Sequence, residues 1–392
     1  MISYLSADYV YPVSAPVLQN GVIGLDEHGK ILKVLTAEEA AARKIRNIAQ
    51  HQGLLVPGFV NTHCHLELSH LKGKIPQHTG LNRFVQEVMK LRGVDEYVIN
   101  LAMLDADKEM LANGIVAVGD IANQAVSKTI KRASPQYYHT FLEVMGFNPA
   151  TAKASIKRAL EFKQNFGDFP ISIVPHAPYS VSEVLFAELK QVAEAGGGLL
   201  SIHNQETADE NLFFMEKTGA FLKLYEFLGL DIDFYAPSGK SSLQTILPHL
   251  ASDLKTLLVH NTFTTKEDVQ FAGAMHRNLY WCLCPNANLY IENKLPDVDM
   301  LRAEGLKITL GTDSLASNTL LSVFAEMQTL QEHFEIPVEE LILWATWNGA
   351  EFLGVEDRCG SLEIGKSPGI NLLDYTIKND HIALGAGMKK LY

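Results

Sequence analysis

Two histidines, His63 and His65, stand on either side of Cys64 at the end of a short apolar run. Because successive side chains of a β-strand point to opposite faces, both imidazoles would project to one face and the thiol to the other. Two imidazoles that converge from one strand suit a first-row metal ion. An H-x-H pair alone is a weak signal, because it also describes two unconnected surface or core histidines.

Further candidate ligands stand directly after apolar runs later in the chain. Of the 14 histidines, five follow such runs, and Asp313 follows another. Random placement would not produce this pattern, so we expect these side chains to meet at the ends of neighbouring strands. They are His63, His65, His176, His203, His260 and Asp313.

The runs that precede these residues are short and are separated by helical stretches of ten or more residues. This alternation is typical of buried parallel strands in an α/β fold. Eight such runs predict a closed (β/α)₈ TIM barrel, which carries its chemistry at the carboxyl ends of its strands. They cover residues 54–60, 115–118, 140–144, 171–174, 199–202, 257–259, 280–283 and 308–310.

The two ends of the chain have a different pattern from the middle. Residues 1–52 contain short apolar runs separated by turn signals such as Asn20-Gly21 and His28-Gly29, and the stretch after Gly354 is similar. The 392 residues also exceed the ~250 of a plain barrel. We therefore expect residues 1–52 and 355–392 to form one small β-sandwich domain, and residues 53–354 to form the barrel.

Composition excludes several kinds of partner. The net charge is −12, from 33 basic and 45 acidic residues, and such a surface repels nucleic-acid polymers and anionic membranes. Four cysteines in a chain of this length do not form a disulfide framework, which favours reduced thiols and a cytoplasmic location. The sequence contains neither a secretory signal pattern nor an apolar run of ~18 residues that could span a membrane.

Taken in order, the motifs resemble those of the amidohydrolase superfamily. The resemblance is to the branch that holds cytosine, guanine and adenosyl-type deaminases and the chlorohydrolases, and it covers nearly the whole chain. One departure is Ala287, in Cys284-Pro285-Asn286-Ala287-Asn288, where the branch often carries serine. The matching segments are PGFVNTHCH (57–65), HAPYS (176–180), HNQE (203–206), LVHN (258–261), GTDSLASN (311–318) and GSLEIGK (360–366).

The resemblance implies a site for one divalent metal held by His63, His65, His203 and Asp313. A second metal in this superfamily usually requires a bridging carboxylated lysine after the fourth strand, and residues 171–180 contain no lysine. Zinc is favoured, and ferrous iron also suits three imidazoles and one carboxylate.

Roles in catalysis also follow from the resemblance. Asp313 would take a proton from a metal-activated water, Glu206 would protonate a ring nitrogen of the substrate, and His260 would hydrogen-bond the reacting centre. His176 and Glu67 are weaker candidates for substrate binding. Solvated or structural alternatives stay open for Glu67, Glu206 and His260.

The favoured reaction is hydrolytic deamination of an aminated, purine nucleoside-like small molecule. Within the branch, the segments around residues 65–69 and 311–318 are most similar to those of aminodeoxyfutalosine deaminases, whose substrate is an adenine nucleoside derivative with a benzoate group. Lys72, Lys74 or Arg83 could bind that carboxylate, and the aromatic insert 213–235 is equally a lid or core packing. The alternatives are hydrolysis of a cyclic amide or aryl halide, or a non-catalytic metal-binding barrel. The resemblance also suggests a homodimer.

Overall fold

The computed structural model describes residues 2–392, and the fold is mixed α/β. The strands are β1 (Ser3–Ser6), β2 (Tyr9–Val10), β3 (Leu18–Gln19), β4 (Val22–Leu25), β5 (Ile31–Leu35), β6 (Ile48–Gln50), β7 (Leu54–Pro57), β8 (Phe59–Cys64), β9 (Ile115–Ala122), β10 (Tyr137–Val144), β11 (Ile171–Pro175), β12 (Leu200–Asn204), β13 (Thr256–His260), β14 (Leu279–Leu283), β15 (Ile308–Leu310), β16 (Ile370–Lys378) and β17 (His381–Lys390).

Helices connect most of the central strands. The α-helices are α1 (Ala37–Ala42), α2 (Leu81–Leu91), α3 (Glu96–Ala112), α4 (Lys128–Ala133), α5 (Ala152–Phe166), α6 (Glu183–Gly196), α7 (Ala208–Glu216), α8 (Phe221–Phe227), α9 (Ser242–Ile246), α10 (Lys266–Met275), α11 (Pro285–Glu292), α12 (Val298–Ala303), α13 (Val323–His333), α14 (Val338–Ala345) and α15 (Trp347–Leu353). Short 3₁₀ turns cover Leu66–Leu71, Pro149–Thr151, Pro178–Ser180 and Leu247–His249. Across residues 2–392, no helix is both long enough and apolar enough to cross a membrane.

Strands β8–β15 form two parallel four-stranded sheets, in the orders β11-β10-β9-β8 and β12-β13-β14-β15. All eight predicted runs contain strand residues, and their side chains are largely buried. Backbone hydrogen bonds join the sheets at both margins. The amide of His203 donates to the carbonyl of His176 at 3.0 Å, and the amides of Thr312 and Asp313 donate to the carbonyl of His63 at 3.0 and 3.1 Å. The carboxyl ends of all eight strands therefore lie on the same side.

The first predicted run, 54–60, is divided between two sheets. Its first half is β7, which pairs with β16 and β2, and its second half is β8, which pairs with β9. Gly58 lies at the junction, where a Cβ atom would stand 2.5 Å from the carbonyl oxygen of Pro368 and 2.4 Å from a methyl group of Val116. A continuous apolar pattern hides this change of sheet, because both halves are buried.

The two chain ends meet in a five-stranded sheet of order β17-β16-β7-β2-β3. Residues of β16 pair antiparallel with β7, with Ile370 opposite Pro57 and Leu373 opposite Leu54. A second sheet has the strand order β5-β4-β1-β6. Its side chains Leu5 and Ile23 form one apolar cluster with Leu55 and Ile370 of the five-stranded sheet.

The aromatic insert between β12 and β13 contains the helices α7, α8 and α9, and most of its aromatic side chains are packed inward. Phe213 and Phe221 are fully buried, and the ring of Phe213 stacks on Tyr235 with centroids 4.7 Å apart. Phe227 and Phe234 are about half exposed. The insert is therefore a small helical layer with its own apolar interior and a few aromatic rings on its outer surface.

Candidate active site

The polar residues that follow the central strands converge on one point. His63 and His65 extend from the end of β8, and the backbone of Cys64 between them forms a parallel bridge with that of Asp313. The Nε2 atom of His65 lies 3.1 Å from Nε2 of His63 and 3.2 Å from Nε2 of His203. The predicted alternation therefore puts both imidazoles on the same face.

The second sheet supplies the other members of the group. His203 ends β12 with Asn204, His260 ends β13, and Asp313 follows β15. One ligand atom from each of His63, His203, His260 and Asp313 lies within 4.8 Å of those of the other three. Oδ1 of Asp313 is 3.5 Å from Nε2 of His63 and 3.4 Å from Nε2 of His65.

Two members of the group have an unusual backbone. His260 and Asp313 adopt positive φ angles of 77° and 53°. Non-glycine residues in such conformations cost of order 1–3 kcal/mol and are concentrated at functional sites, because the surrounding structure must hold them there. These turns allow the strand ends to aim His260 and Asp313 at the common centre.

The electrostatics of the group favour neutral imidazoles at His65, His203 and His260 around an ionised carboxylate. At His63, burial alone would lower the pKa, but the hydrogen bond and charge of Asp313 raise it. Burial lowers the pKa of His65 and of His260 to about 4 and holds the pKa of His203 well below its usual value. Burial alone would raise the pKa of Asp313, but a hydrogen bond from His63 and the surrounding imidazoles hold that pKa below its usual value. Neutral imidazole nitrogens and one carboxylate are the ligands that zinc or ferrous iron prefers.

Hydrogen bonds on the outer side of the group fix the orientation of two members. Nδ1 of His203 donates to the carbonyl of His176 at 2.8 Å, which leaves its Nε2 facing the centre. The hydroxyl of Ser317 donates to Oδ2 of Asp313, which leaves Oδ1 facing His63 and His65. A proton on Nε2 of His65 could form a hydrogen bond to only one of the two neighbouring Nε2 atoms, those of His63 and His203. A metal ion bound by all three nitrogens would satisfy the three together.

Glu206 lies beside this group and is buried. Its Oε1 atom is 3.7 Å from Nε2 of His260. Burial raises the pKa of Glu206 well above its usual value, and the nearby carboxylates of Asp313 and Glu210 add to that effect. A carboxyl group that stays protonated near neutral pH is able to donate a proton to a ligand.

The two predicted substrate-binding residues are Glu67, two positions after His65, and His176, whose ring lies next to that of His203. Both carboxylate oxygens of Glu67 accept backbone hydrogen bonds, from Asn123 at 3.0 Å and Gln124 at 3.2 Å, and burial raises its pKa to about 7. His176 forms a 2.6 Å hydrogen bond with Ser180, and burial lowers its pKa to about 3. Glu67 therefore binds the backbone of the loop after β9, and His176 lies at the edge of the site.

Sequence reasoning missed Glu143, which lies in β10 and is buried next to His203 and His176. The available signal was a carboxylate inside an otherwise apolar run. It also missed Arg92, whose guanidinium donates to the side chain of Asn123 at 3.4 Å. Lys72, Lys74 and Arg83, proposed from sequence as carboxylate-binding cations, are exposed, and Lys72 lies 3.5 Å from Glu109.

Comparison with known proteins places the chain in a family. The model of the amidohydrolase family matches residues 54–390, which is most of the chain. The chain belongs to the amidohydrolase family. Its relatives include an adenosine deaminase of Helicobacter pylori, 25% identical over 83% of this chain and 80% of the relative. They also include an aminodeoxyfutalosine deaminase of Nitratiruptor, 26% identical over 91% of this chain and 88% of the relative.

Solved structures have the same fold as this amidohydrolase. The crystal structure of Helicobacter pylori aminofutalosine deaminase in complex with methylthio-coformycin has a TM-score of 0.81 and 24% identity, and the match covers 96% of this chain and 93% of that one. An adenosine deaminase from Xanthomonas campestris with bound zinc has a TM-score of 0.72 and 23% identity, over 95% and 84% of the two chains.

Proposed function

We propose that this amidohydrolase is a metal-dependent hydrolytic deaminase of an aminated heterocycle. The observation that carries the proposal is a buried Glu206 beside His260 and next to a converging group of histidines and one aspartate, where burial raises the pKa of Glu206 well above its usual value. Binding of a metal alone would not require a buried acid at that position. The names of the two deaminase relatives support the same reaction.

One divalent metal would be held by His63, His65, His203 and Asp313. Zinc is favoured because the related Xanthomonas campestris structure binds it, and ferrous iron also suits the same ligands. Residues 171–180 offer no lysine to bridge a second metal. When bound, the metal would polarise a water molecule and make it a nucleophile near neutral pH.

The side chains around it would move the protons. Oδ1 of Asp313 accepts a proton from the attacking water, and the carboxyl of Glu206 donates one to the ring nitrogen beside the attacked carbon. Nε2 of His260 hydrogen-bonds the oxygen that attacks. A C–O bond forms, the exocyclic C–N bond breaks, and ammonia leaves with a proton returned from Asp313. The carboxylate of Glu206 recovers its proton from the new hydroxyl group, which leaves a neutral C=O group beside the protonated ring nitrogen. One water is consumed, so the overall reaction is hydrolysis.

The scaffold for this site would be a closed (β/α)₈ barrel with a small composite β domain. Hydrogen bonds at both margins of the two central sheets support closure. The sequence predicts residues 1–52 and 355–392 for the small domain and residues 53–354 for the barrel. The pairing of β7 with β2 and β16 favours a boundary at Gly58 rather than at residue 53.

The substrate would be a small purine nucleoside derivative, and aminodeoxyfutalosine is favoured. Support comes from the Nitratiruptor relative and from the fold shared with Helicobacter pylori aminofutalosine deaminase. His176 and Glu67 are the proposed substrate-binding residues. A homodimer and a cytoplasmic location remain predictions from sequence.

The test is ammonia release from a panel of substrates by the metal-loaded enzyme. We expect kcat/KM for aminodeoxyfutalosine to exceed that for adenosine, S-adenosylhomocysteine, guanine and cytosine. Similar efficiencies across the panel would contradict the specific substrate and leave deamination standing. The absence of ammonia release from every compound, in protein that contains its metal, would contradict deamination itself.

A further inference from the structure

The carboxylate of Glu143 is buried with one oxygen bound and the other unbound. Its side chain is 2% exposed, and Oε2 accepts a 3.1 Å hydrogen bond from the side-chain amide of Asn123. Oε1 faces two imidazoles, with Nδ1 of His203 at 3.5 Å and Nε2 of His176 at 3.9 Å. Oε1 is therefore a free acceptor at the edge of the site, next to the imidazole of His176, whose side chain is 17% exposed.

Neither neighbouring imidazole supplies the missing hydrogen bond. Nδ1 of His203 already donates to the carbonyl of His176 at 2.8 Å, so its proton points elsewhere. The 3.9 Å that separates Oε1 from Nε2 of His176 is too long for a hydrogen bond. Within residues 2–392, no hydrogen-bond donor reaches Oε1 of Glu143.

The hydrogen bonds of His176 make its second nitrogen another acceptor. The hydroxyl of Ser180 donates to the carbonyl of Ala177 at 3.1 Å, so it accepts from Nδ1 of His176 at 2.6 Å. With the proton on Nδ1, Nε2 of the neutral ring carries a lone pair. Oε1 of Glu143 and Nε2 of His176 are therefore two acceptors that face the same gap.

A metal ion is a poor occupant for this gap. Glu143, His176 and His203 do offer ligand atoms within 4.8 Å of one another. However, Nδ1 of His203 is protonated by its hydrogen bond to the backbone, and its Nε2 belongs to the main group. Two ligands would remain, which is fewer than the three or four protein ligands of typical zinc sites.

We propose that Glu143 and His176 form a clamp for two adjacent hydroxyl groups of the substrate, as in the vicinal diol of a ribose. Each hydroxyl donates one hydrogen bond, to Oε1 of Glu143 and to Nε2 of His176. The clamp borders His203, so it holds the sugar while the heterocycle reaches the main group. Asn123 is the positioning residue, since it fixes Oε2 of Glu143 and also binds Glu67 and Arg92. This inference rests on the proposed deaminase function and assigns its substrate to nucleosides rather than free bases.

The experiment compares adenosine with 2′-deoxyadenosine and 3′-deoxyadenosine. We measure kcat/KM for ammonia release by wild type, Glu143→Gln and Glu326→Gln. Hydrogen bonds to a charged group predict that wild type prefers adenosine over each deoxy compound by roughly 10- to 100-fold. In Glu143→Gln the amide still reaches Asn123, but the carboxylate charge is lost, and the preference should fall towards 1.

Glu326→Gln is the matched control, because it also removes a buried carboxylate. Glu326 binds the amide of Asn286 at 2.9 Å and the side chain of Asn318 at 2.8 Å, and the variant should keep the adenosine preference. Equal wild-type efficiency for all three nucleosides would overturn the clamp, as would an unchanged preference in Glu143→Gln. A preference that disappears in Glu67→Gln instead would assign the hydroxyls to Glu67 and overturn the clamp too.

A metal analysis, a second variant and a binding measurement complete the test. Two metal equivalents in wild type and one in Glu143→Gln would overturn the clamp in favour of a second cation. If Glu143→Gln does not fold, Glu143→Asp keeps the charge, shortens its reach and should lower the preference partly. Calorimetric binding of the same three nucleosides to Glu206→Gln protein tests the clamp without turnover, so failure of the clamp and failure of the deaminase proposal are distinguishable.

Discussion

At the scale of single residues, the pKa values of two carboxyl groups of the site are shifted in opposite directions. The pKa of Asp313 is lowered by the imidazoles around it, and the pKa of Glu206 is raised by burial and by the charge of Asp313. Paired groups whose environments separate their pKa values are the usual basis for an acid and a base in one site. We therefore assign the role of base to Asp313 and the role of acid to Glu206.

The substitution Glu206→Gln tests the acid. Glutamine keeps the shape but has no acidic proton, so we expect kcat to fall by about 10²- to 10⁴-fold. The metal content should not change, because Glu206 lies outside the converging group of ligands. The measurements are ammonia release and elemental analysis of the purified variant.

His203→Ala provides the contrast, because it should lose metal and activity together. A Glu206→Gln enzyme with a near wild-type rate on its best substrate would contradict the proton-donor role. Loss of metal from Glu206→Gln would contradict it as well, because the residue would then act on the ligands.

The candidate ligands could be predicted at this scale, and their neighbours could not. His63, His65, His203 and Asp313 each follow an apolar run at a strand end, but so do His176 and His260, and only the resemblance to the superfamily singled out the first four as ligands. The structure also brings a ring nitrogen of His260 within 4.8 Å of ligand atoms of three of those four. Glu143 lies inside such a run, and its partner Asn123 is 20 positions away along the chain. Whether a strand carboxylate faces a site depends on sheet pairing and on the loop of the neighbouring strand, which periodicity alone does not give.

At the scale of elements, the eight predicted runs all contain strand residues, but the boundary between β7 and β8 was hidden. A change of sheet at Gly58 leaves the apolar pattern continuous, because buried parallel and antiparallel strands are both apolar. The insert after β12 posed a related problem. Its aromatic residues suit either a helical core or a lid, and only the packing of Phe213 and Phe221 distinguishes the two.

The variants Phe213→Ala and Phe234→Ala separate core from lid within this insert. Phe213 is fully buried, so its truncation should lower the free energy of unfolding by about 3–5 kcal/mol. Phe234 is 51% exposed, so its truncation should cost less than about 1 kcal/mol. Urea unfolding of both proteins, followed by circular dichroism, gives the comparison.

Steady-state kinetics complete that test. If the insert acts only as packing, Phe234→Ala should keep the wild-type KM. A KM that rises in Phe234→Ala without loss of stability would identify the outer ring as part of a lid. A Phe213→Ala protein as stable as wild type would contradict the core assignment.

At the scale of the whole molecule, the candidate metal group joins the two central sheets. His63 and His65 come from the sheet that contains β8, whereas His203 and His260 come from the sheet that contains β12 and β13. Asp313 follows β15, whose continuation is hydrogen-bonded to His63. Strands from the two chain ends also help to position β8, because β7, which leads directly into β8, is paired with β2 and β16.

Removal of the metal should therefore weaken the whole fold as well as the activity. A ligand that binds only the folded state at 100–1000 times its Kd adds about 2.7–4.1 kcal/mol to stability. Here the ligand would also connect two sheets, and its loss leaves three imidazoles in contact. We expect one metal equivalent per chain by elemental analysis, a Tm that falls by several degrees after chelation, and recovery of both Tm and activity when one equivalent of zinc returns.

The control is His139→Gln, which replaces a buried histidine of β10 that binds Ser172 and lies outside the metal group. This variant should keep its metal and should show the same chelator-dependent fall in Tm as wild type. Two equivalents that are both needed for activity would contradict the single-metal assignment. Chelation that abolishes activity but leaves Tm unchanged would mean that backbone pairing alone holds the sheets together. In that case the metal would contribute to the chemistry of the site without stabilising the fold.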